Sequence, residues 1–404
     1  MAIVYRIIIG VSYLLKALLV VTAAVLTLPL VFYTHPHSLV YLITDSHLYV
    51  NNSVEPKACN LTGRNFYLDS SQGLLPVWHL YPRKFNSTEE AVEDLRRKET
   101  PMLLYLHGKN KPRTMLKAYQ DFLDDGFHLI VPELRGFLDS SGPFSGQAAV
   151  EELLHVHIWL TAQYVPGKRI VWWCFSLGTG ICMQAAPELK SHRPDGIILE
   201  APYSSMREML MSNMIFRGLA GWFPILSNAV LSKVEKKYDM KFVTKENILK
   251  LPDVPILHVH ARDDPTIKYD KHFKKIHDAV RGQTTRRAAY YPVTLRACRG
   301  VGHYPISKNI SNDIRQLIHN FWEEIVWPGS PSGNQSLNGS PLTTNVTSTM
   351  DTLVLDTTTR SSTVTISTAK TSMTRTNEKP SKKTAKETTK KQAGQTSSHT
   401  AKKN

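Results

Sequence analysis

Residues 171–180 read Val-Trp-Trp-Cys-Phe-Ser-Leu-Gly-Thr-Gly, and this segment is the strongest indication of the fold. A short apolar run ends at Ser176, and small residues that can open a helix follow it. The order strand, serine, helix is typical of the nucleophile elbow G-x-S-x-G, in which Cys174 here replaces the first glycine. A serine on such a turn exposes its hydroxyl group beside the N–H groups at the helix start, where an oxyanion forms. The pattern alone is weak, because a serine before Leu-Gly is also an ordinary helix cap.

An upstream strand supplies a second oxyanion donor. Residues 102–108, Met-Leu-Leu-Tyr-Leu-His-Gly, are an apolar run that ends in His-Gly. The loop after such a strand contributes one backbone N–H to the oxyanion site, and the residue after the nucleophile contributes the other. The sequence therefore predicts Lys109 and Leu177 as the two donors.

Two downstream segments complete a catalytic triad. An apolar strand at 254–260 runs into Asp263 and Asp264, and His303 lies on a glycine-rich loop before a final amphipathic helix. The chain order serine, aspartate, histidine is that of the α/β-hydrolases. We predict Ser176, Asp264 and His303 as the triad, with Asp263 as the alternative acid. Each residue also has a structural interpretation, since Asp before Pro initiates turns and histidine occurs in surface loops.

These segments predict an α/β-hydrolase fold, a mostly parallel, doubly wound sheet with a small helical lid over the serine. The lid is expected at about 203–250, which is rich in Met, Phe and Trp. Such a surface suits an acyl chain, and the alternative is ordinary helix packing against the core. The predicted strands are 65–68, 76–81, 102–106, 128–132, 170–174, 196–200, 256–260 and 289–294, and the predicted crossover helices are 114–124, 148–164, 179–189 and 270–280.

Several motifs resemble one family. They are Gly-Leu-Leu-Pro-Val-Trp-His at 73–79, Leu-His-Gly at 106–108, Ile-Leu-Glu-Ala-Pro-Tyr at 198–203 and His-Ala-Arg-Asp-Asp-Pro at 260–265. Together with the elbow, they resemble the membrane-anchored α/β-hydrolase-domain lipases that act on monoacylglycerol and lysophosphatidylserine. The resemblance extends from about residue 65 to residue 324. It implies a serine esterase that cleaves the acyl ester of a lipid with one acyl chain, a lysophospholipid or a monoacylglycerol, and that needs no cofactor.

The elbow departs from that family. The family has Gly-His-Ser-Leu-Gly where this chain has Cys174 and Phe175 before the serine, and it has Asn where this chain has Lys109. The first glycine is required because strand and helix crowd there, and cysteine is small enough to replace it. Two alternative functions remain open: a thioesterase that removes palmitoyl groups from proteins, and a catalytically weakened hydrolase-fold protein that binds without turnover.

The N-terminus predicts a membrane anchor. Residues 17–33 carry no charge, which is near the lower limit of about 17–25 residues for a transmembrane helix. Arg6 and Lys16 precede this run and the next basic residue is Lys57, so the positive-inside rule places the N-terminus in the cytosol. The catalytic domain is then lumenal or extracellular, and the family resemblance favours the endoplasmic reticulum membrane. A cleaved signal peptide is the alternative.

Sequons and cysteines bear on this topology. All N-x-S/T sequons lie after the apolar segment, at Asn51, Asn60, Asn86, Asn309, Asn334, Asn338 and Asn345. We expect Cys174 and Cys182 to be buried and free, and Cys59 and Cys298 are able to pair in an oxidising lumen. The alternating His258 and His260 lack acidic or cysteine partners at ligand spacing, so we predict no metal site.

Much of the net charge of +15 lies at the C-terminus. Residues 328–404 are rich in Ser, Thr and Lys, with eleven basic and four acidic side chains, and are predicted to be disordered. A lumenal location argues against nucleic-acid binding, and protein partners are not indicated. The predicted organisation is a transmembrane anchor at 1–35, a lumenal linker at 36–64, the hydrolase domain at 65–327 and the tail at 328–404.

Overall fold

A mostly parallel sheet forms the centre of the protein, which is described here from a computed structural model. The structure describes residues 2–45, 55–71, 73–109, 113–115, 119–163, 167–251, 253–285, 289–295, 302–304, 306, 312–326 and 353–355. The strands are β1 (Gly63–Ser70), β2 (Gly73–Leu80), β3 (Met102–Leu106), β4 (His128–Pro132), β5 (Val171–Phe175), β6 (Gly196–Glu200), β7 (Ile256–Ala261), β8 (Tyr290–Leu295) and β9 (Leu353–Leu355). Their order in the sheet is β1-β2-β4-β3-β5-β6-β7-β8-β9.

This topology is that of an α/β-hydrolase sheet. Only the β1–β2 and β2–β4 pairs are antiparallel; every other pair is parallel, including β5 with β3 and with β6. The eight strands predicted from the sequence are all confirmed. The short strand β9 was not predicted; it pairs with β8 and lies inside the segment expected to be disordered.

Helices cover the sheet and extend from it. They are α1 (Ala2–Thr34), α2 (Pro36–Thr44), α3 (Thr88–Arg96), α4 (Tyr119–Asp124), α5 (Gly146–Gln163), α6 (Leu177–Ala185), α7 (Met206–Ser212), α8 (Met214–Trp222), α9 (Pro224–Lys237), α10 (Thr244–Asn247), α11 (Tyr269–Arg281) and α12 (Asn312–Asn320). A π-helical turn, Phe321–Val326, continues α12. Among the predicted helices, the one expected at 114–124 is a short 3₁₀ turn, Arg113–Met115, followed by α4.

Alternation along the strands builds a core on each side of the sheet. On β5, Trp172 and Cys174 belong to one buried cluster, whereas Trp173 and Phe175 belong to the other. Successive side chains of a strand point to opposite faces, and strands covered on both faces read as continuous apolar runs. All five residues of β5 are therefore buried, and the serine that follows is held on a rigid strand end.

The cap is formed by α7 to α10, between β6 and β7, where the lid was predicted. The N-terminal helices approach this cap. Helix α2 lies in the segment interpreted as a linker, yet Leu39, Val40 and Ile43 are buried in the same cluster as Leu210 and Val230. A Pro at its first position and apolar residues at helical spacing explain why this short segment forms a helix that packs.

Candidate active site

Ser176 lies in a strained turn between β5 and α6. Its φ of 49° and ψ of −111° are unusual for a residue other than glycine. The turn is tight because α6 approaches the end of β3: a Cβ on Gly178 would lie 2.5 Å from the Leu106 carbonyl oxygen. On Gly180 it would meet the Tyr203 side chain and lie 2.8 Å from Phe242 Cβ. The two glycines after the serine are therefore required by close packing.

The first elbow position is occupied by a disulfide. Cys174 on β5 is bonded to Cys182 on α6, so the expectation that both are free thiols is wrong. Their Cα atoms are 6.5 Å apart because α6 returns over the end of its own strand. The side chain that replaces glycine is thus directed into a covalent link between the two elements that hold Ser176. Cys59 is a free thiol, and Cys298 lies outside the described residues.

The structure brings Ser176, His303 and Asp264 together in one hydrogen-bonded chain. His303 Nδ1 lies 2.8 Å from Asp264 Oδ2, and His303 Nε2 lies 2.9 Å from Ser176 Oγ. Since the carboxylate accepts from Nδ1–H, Nε2 is free of its proton and accepts from the serine hydroxyl. Asp263, the alternative acid, is exposed. This geometry allows His303 to act as a general base toward Ser176.

Asp264 is held as a carboxylate. Burial opposes its ionisation, but the hydrogen bond from His303 and the proximity of His303 and His260 outweigh it and lower the pKa of the carboxyl group. The N–H groups of Thr266 and Ile267 each donate to Oδ1 at 2.8 Å. One oxygen is therefore fixed by the backbone, and the other is directed at the imidazole.

Lys109 and Leu177 lie beside Ser176, as expected for oxyanion donors. All three residues line one cavity. A Cβ on Gly108 would lie 2.9 Å from Ser176 Cβ, so the backbone just before Lys109 passes against the serine. The N–H of Leu177 is at the start of α6, where the helix dipole favours negative charge.

Glu200 connects the elbow to the histidine loop, a role that sequence analysis missed. Its fully buried carboxylate accepts from the Ile306 N–H at 2.8 Å and from Trp173 Nε1–H at 2.9 Å. Its backbone carbonyl accepts from the Ser176 N–H at 3.0 Å. One residue thus fixes the serine and a position three residues after His303. An acidic residue at the end of an apolar strand was the available signal.

Phe175 packs on the imidazole. Its ring centre lies 5.3 Å from that of His303 and 5.4 Å from that of Tyr304. The apolar residue at this elbow position therefore packs against the histidine ring, and it leaves the contacts among Ser176, His303 and Asp264 intact.

A cavity of about 460 Å³ leads from the cap to Ser176. Its walls come from α2 and the cap, and its apolar lining includes Leu42, Ile43, Met206, Met209, Leu210, Met214 and Phe216. The two lysines in the lining are Lys109 and Lys268. Ligand sites of about 300–1,000 Å³ with apolar walls and few polar groups are typical of small-molecule pockets.

Helix α2 contributes to this cavity in two ways that the linker interpretation did not include. Leu42 and Ile43 form part of the wall. Asp45, at the C-terminal end of α2, lies 3.6 Å from the Lys109 ammonium group. The segment after α1 therefore lines the cavity at Ser176.

Other predicted sites are only partly visible. Asn60 and Asn86 are exposed, as a glycosylated asparagine requires, and Asn51, Asn309, Asn334, Asn338 and Asn345 lie outside the described residues. Within the described part of the chain, no cluster of three or more His, Cys, Asp or Glu side chains is arranged to hold a metal ion. His258 is instead hydrogen-bonded to Tyr290, and His260 to the Ile267 carbonyl.

Comparison with known proteins gives relatives for most of the domain. The chain is 29% identical over 228 residues to "Lysophosphatidylserine lipase ABHD12" of Danio rerio, covering 53% of this chain and 58% of that protein. It is 29% identical over 277 residues to the protein of the same name from Xenopus tropicalis, covering 64% and 68%. It is 30% identical over 233 residues to "Protein ABHD12B" of Homo sapiens, covering 54% and 62%. The chain thus spans about three fifths of the length of these relatives.

Two further comparisons concern the fold. Residues 86–272 match the X-Pro dipeptidyl-peptidase (S15 family), a match that includes Ser176 and Asp264 and ends before His303. An esterase of Pyrococcus furiosus has a TM-score of 0.46 and 14% identity, covering 68% of this chain and 95% of that one.

The strand order and the turn at Ser176 are observed in this chain, and the relatives support the same α/β-hydrolase fold independently. The chain has the α/β-hydrolase fold and is similar in sequence to proteins named lysophosphatidylserine lipase.

Proposed function

We propose that the chain is a serine hydrolase that cleaves the acyl ester of a single-chain lipid, a lysophospholipid such as lysophosphatidylserine or a monoacylglycerol. The observation that carries this proposal is the hydrogen-bonded chain Ser176–His303–Asp264 at the end of a cavity with apolar walls. A weakened hydrolase-fold binder is disfavoured because the departures at Cys174 and Phe175 leave the three side chains in contact.

In this mechanism Ser176 attacks the ester carbonyl while His303 Nε2 takes the hydroxyl proton. Asp264 holds the imidazole in the required tautomer and stabilises the imidazolium ion. The N–H groups of Leu177 and Lys109 bind the oxyanion, each contributing about 3 kcal/mol. His303 then gives the proton to the leaving glycerol oxygen, which departs as free glycerol or as the glycerophospho-headgroup. Water then attacks the acyl-serine ester with His303 as the base, and the fatty acid leaves Ser176 by the same steps.

We propose further that helix α1 anchors the chain in the membrane. Among the described residues, one helix, Val4–Thr34, is long and apolar enough to cross a bilayer. The buried Cys174–Cys182 disulfide supports a lumenal catalytic domain, because disulfides form in oxidising compartments. We place the N-terminus in the cytosol and the domain in the lumen of the endoplasmic reticulum.

The test of activity uses the purified full-length chain in mixed micelles. Fatty acid release is measured from lysophosphatidylserine, lysophosphatidylcholine and monoacylglycerol, each with wild type and Ser176→Ala. We expect release from single-chain lipids that the Ser176→Ala variant loses, together with loss of labelling by a fluorophosphonate probe. Faster cleavage of an S-palmitoyl peptide would favour the thioesterase, and cleavage of an X-Pro p-nitroanilide would favour a peptidase.

The test of topology uses intact microsomes. We expect the protein to remain in the pellet after a carbonate wash and to carry glycans that endoglycosidase H removes. Release into the wash would favour a cleaved signal peptide, and glycans resistant to the enzyme would place the protein beyond the endoplasmic reticulum.

A further inference from the structure

The cap exposes large apolar side chains next to the anchor helix. Met214, Trp222 and Ile225 are 73%, 74% and 86% exposed. They lie at the two ends of α8 and at the start of α9. Single exposed apolar residues are ordinary on a soluble protein, but a group of them beside a candidate membrane span indicates a contact surface.

The packing of α1 against the cap determines how deep this surface lies relative to the bilayer. The described side chains from Val4 to Thr27 are exposed, apart from the half-buried Ser12. These 24 residues form a helix about 36 Å long, which exceeds the hydrocarbon thickness of about 30 Å. Arg6 lies near its start, and the Lys16 ammonium group lies over the Tyr13 ring, so the Lys16 side chain extends toward the cytosolic interface. The exposed part of α1 is therefore sufficient to cross a bilayer before the helix reaches the cap.

Burial of α1 begins at Leu28, close to its end at Thr34. Pro29 and Phe32 face a small gap lined by α8 and α9, and the Lys233 ammonium group donates to the Tyr33 carbonyl at 2.8 Å. Seven residues of helix cover about 10 Å. The cap is thus attached to the anchor at the depth where interfacial helices lie, about 5–10 Å into the headgroup and acyl boundary.

The composition of α8 fits that depth. Met214, Arg217 and Trp222 lie on its exposed side, whereas Phe216 and Ala220 face the gap beside α1. Tryptophan is enriched at membrane interfaces, and a basic side chain between apolar ones suits lipid phosphates. Met214 also lines the catalytic cavity, so the rim of that cavity belongs to this surface.

We propose that the cap face formed by Met214, Arg217, Trp222 and Ile225 inserts into the surface of the bilayer that α1 spans, and that the catalytic cavity receives its lipid from that bilayer. The proposal rests on the proposed anchoring by α1. It extends the proposed function by giving the source of the substrate and its route to Ser176.

A direct test uses tryptophan fluorescence and needs no turnover. The full-length chain, in a Ser176→Ala background, is reconstituted in phosphatidylcholine vesicles with or without brominated acyl chains. Of the seven tryptophans, Trp78, Trp172, Trp173 and Trp322 are buried, Trp159 is half-buried against Phe66, and Trp327 lies outside the described residues. Among the described residues Trp222 is the exposed one, so it is expected to give much of the quenching from the lipid. Quenching that falls clearly in Trp222→Phe supports the insertion of the cap, and equal quenching in both proteins overturns it.

A second test separates access from chemistry. We expect Ile225→Asp to lower the ratio of vesicle-lipid hydrolysis to soluble-ester hydrolysis by about tenfold, because the inserted face loses one buried aliphatic side chain and gains a charge. The matched control is Ile158→Asp on α5, which is 55% exposed and outside the cap. An unchanged ratio in Ile225→Asp overturns the proposal. A dimer in detergent that Ile225→Asp dissociates would assign the face to a second copy and also overturn it.

Discussion

The strand ends that hold Ser176 and Asp264 differ in kind from α2 and the cap, which enclose the cavity. Around Ser176, contacts are polar, short and buried: Asp264 and Glu200 each use both carboxylate oxygens. Around the cavity entrance the contacts are apolar, and Met214 and Leu42 remain largely exposed. Polar contacts fix distances and tautomers, whereas apolar contacts mainly select shape and size.

This difference indicates which region determines the chemistry and stability of the protein and which region determines its choice of lipid. Substitutions at the strand ends are expected to change chemistry and stability. Substitutions in α1, α2 and the cap are expected to change which lipid is hydrolysed and whether that lipid is taken from the membrane. The expected changes in activation or unfolding free energy are largest at the strand ends and smallest in α2.

The largest effect is expected in the triad. Removing Ser176 or His303 should lower kcat by about 10⁶-fold, and Asp264→Asn by about 10⁴-fold, because the asparagine amide favours the wrong imidazole tautomer. Initial rates with a short soluble ester measure this without involving the cap. The matched control is Asp263→Asn, at the exposed neighbouring position, which should retain nearly full activity. The reverse pattern, a silent Asp264→Asn and an inactive Asp263→Asn, would show that the acid is misassigned.

The strand ends were largely predictable from the sequence. Apolar runs with turn residues after them locate strands, and parallel strands bring their carboxyl ends to one edge of the sheet. For this reason the sequence placed Ser176 and Asp264 after strand ends, where the structure also has them, within hydrogen-bonding distance of His303. The role of Glu200 was missed because its partner, the Ile306 N–H, is distant in sequence and carries no side-chain signature.

The disulfide and α2 were missed for a related reason. An x₇ spacing between Cys174 and Cys182 has no pairing rule, and only the return of α6 over β5 brings the two residues together. Helix α2 is short and follows a long apolar helix, so its Leu39 and Ile43 were assigned to the lumenal linker at 36–64. Their burial depends on contacts with the cap, which local sequence does not reveal.

The disulfide should stabilise the strand-end region measurably. Cross-linking residues eight apart contributes about 2–3 kcal/mol on chain-entropy grounds, or about 4–6 °C in melting temperature for a domain of this size. Thermal unfolding with and without reductant is the measurement. Wild type should lose stability on reduction, and the double variant Cys174→Ala, Cys182→Ala should be insensitive. If reduction lowers the melting temperature equally in both proteins, the reductant acts on other cysteines and the Cys174–Cys182 bond does not account for the loss.

Acidification should weaken the region between the triad and the cap. Burial lowers the pKa of His272 to about 4, and the nearby imidazole of His260 is the second largest cause. The unfolded chain binds this proton near pH 6.5, whereas the folded chain binds it only near pH 4. The free energy of unfolding is therefore highest above pH 6.5 and decreases as the pH falls toward 4. Between pH 7 and pH 5 the loss from this residue is about 2 kcal/mol.

Melting temperatures at pH 7 and pH 5 test this expectation. Burial opposes ionisation of the neighbouring Glu208, but hydrogen bonds from Ser204, Lys245 and Lys275 lower its pKa to about 2, so it stays ionised throughout the window. His272→Gln should therefore be less stable at pH 7 and less sensitive to acid. An unchanged dependence on pH in that variant would assign the effect to the other buried histidines.

The smallest effect tests the contribution of α2 to substrate choice. Leu42 is about half exposed and lines the cavity, so Leu42→Trp should narrow the path of the acyl chain. We expect the ratio of kcat/KM for a long-chain to a short-chain lysophospholipid to fall about tenfold, the usual effect of one misplaced apolar group in a pocket. Leu74→Trp is the matched control, since Leu74 is similarly exposed on β2 and is absent from the cavity lining. If both chain lengths slow equally in Leu42→Trp, α2 supports the site without contacting the chain, and substrate length is selected by the cap alone.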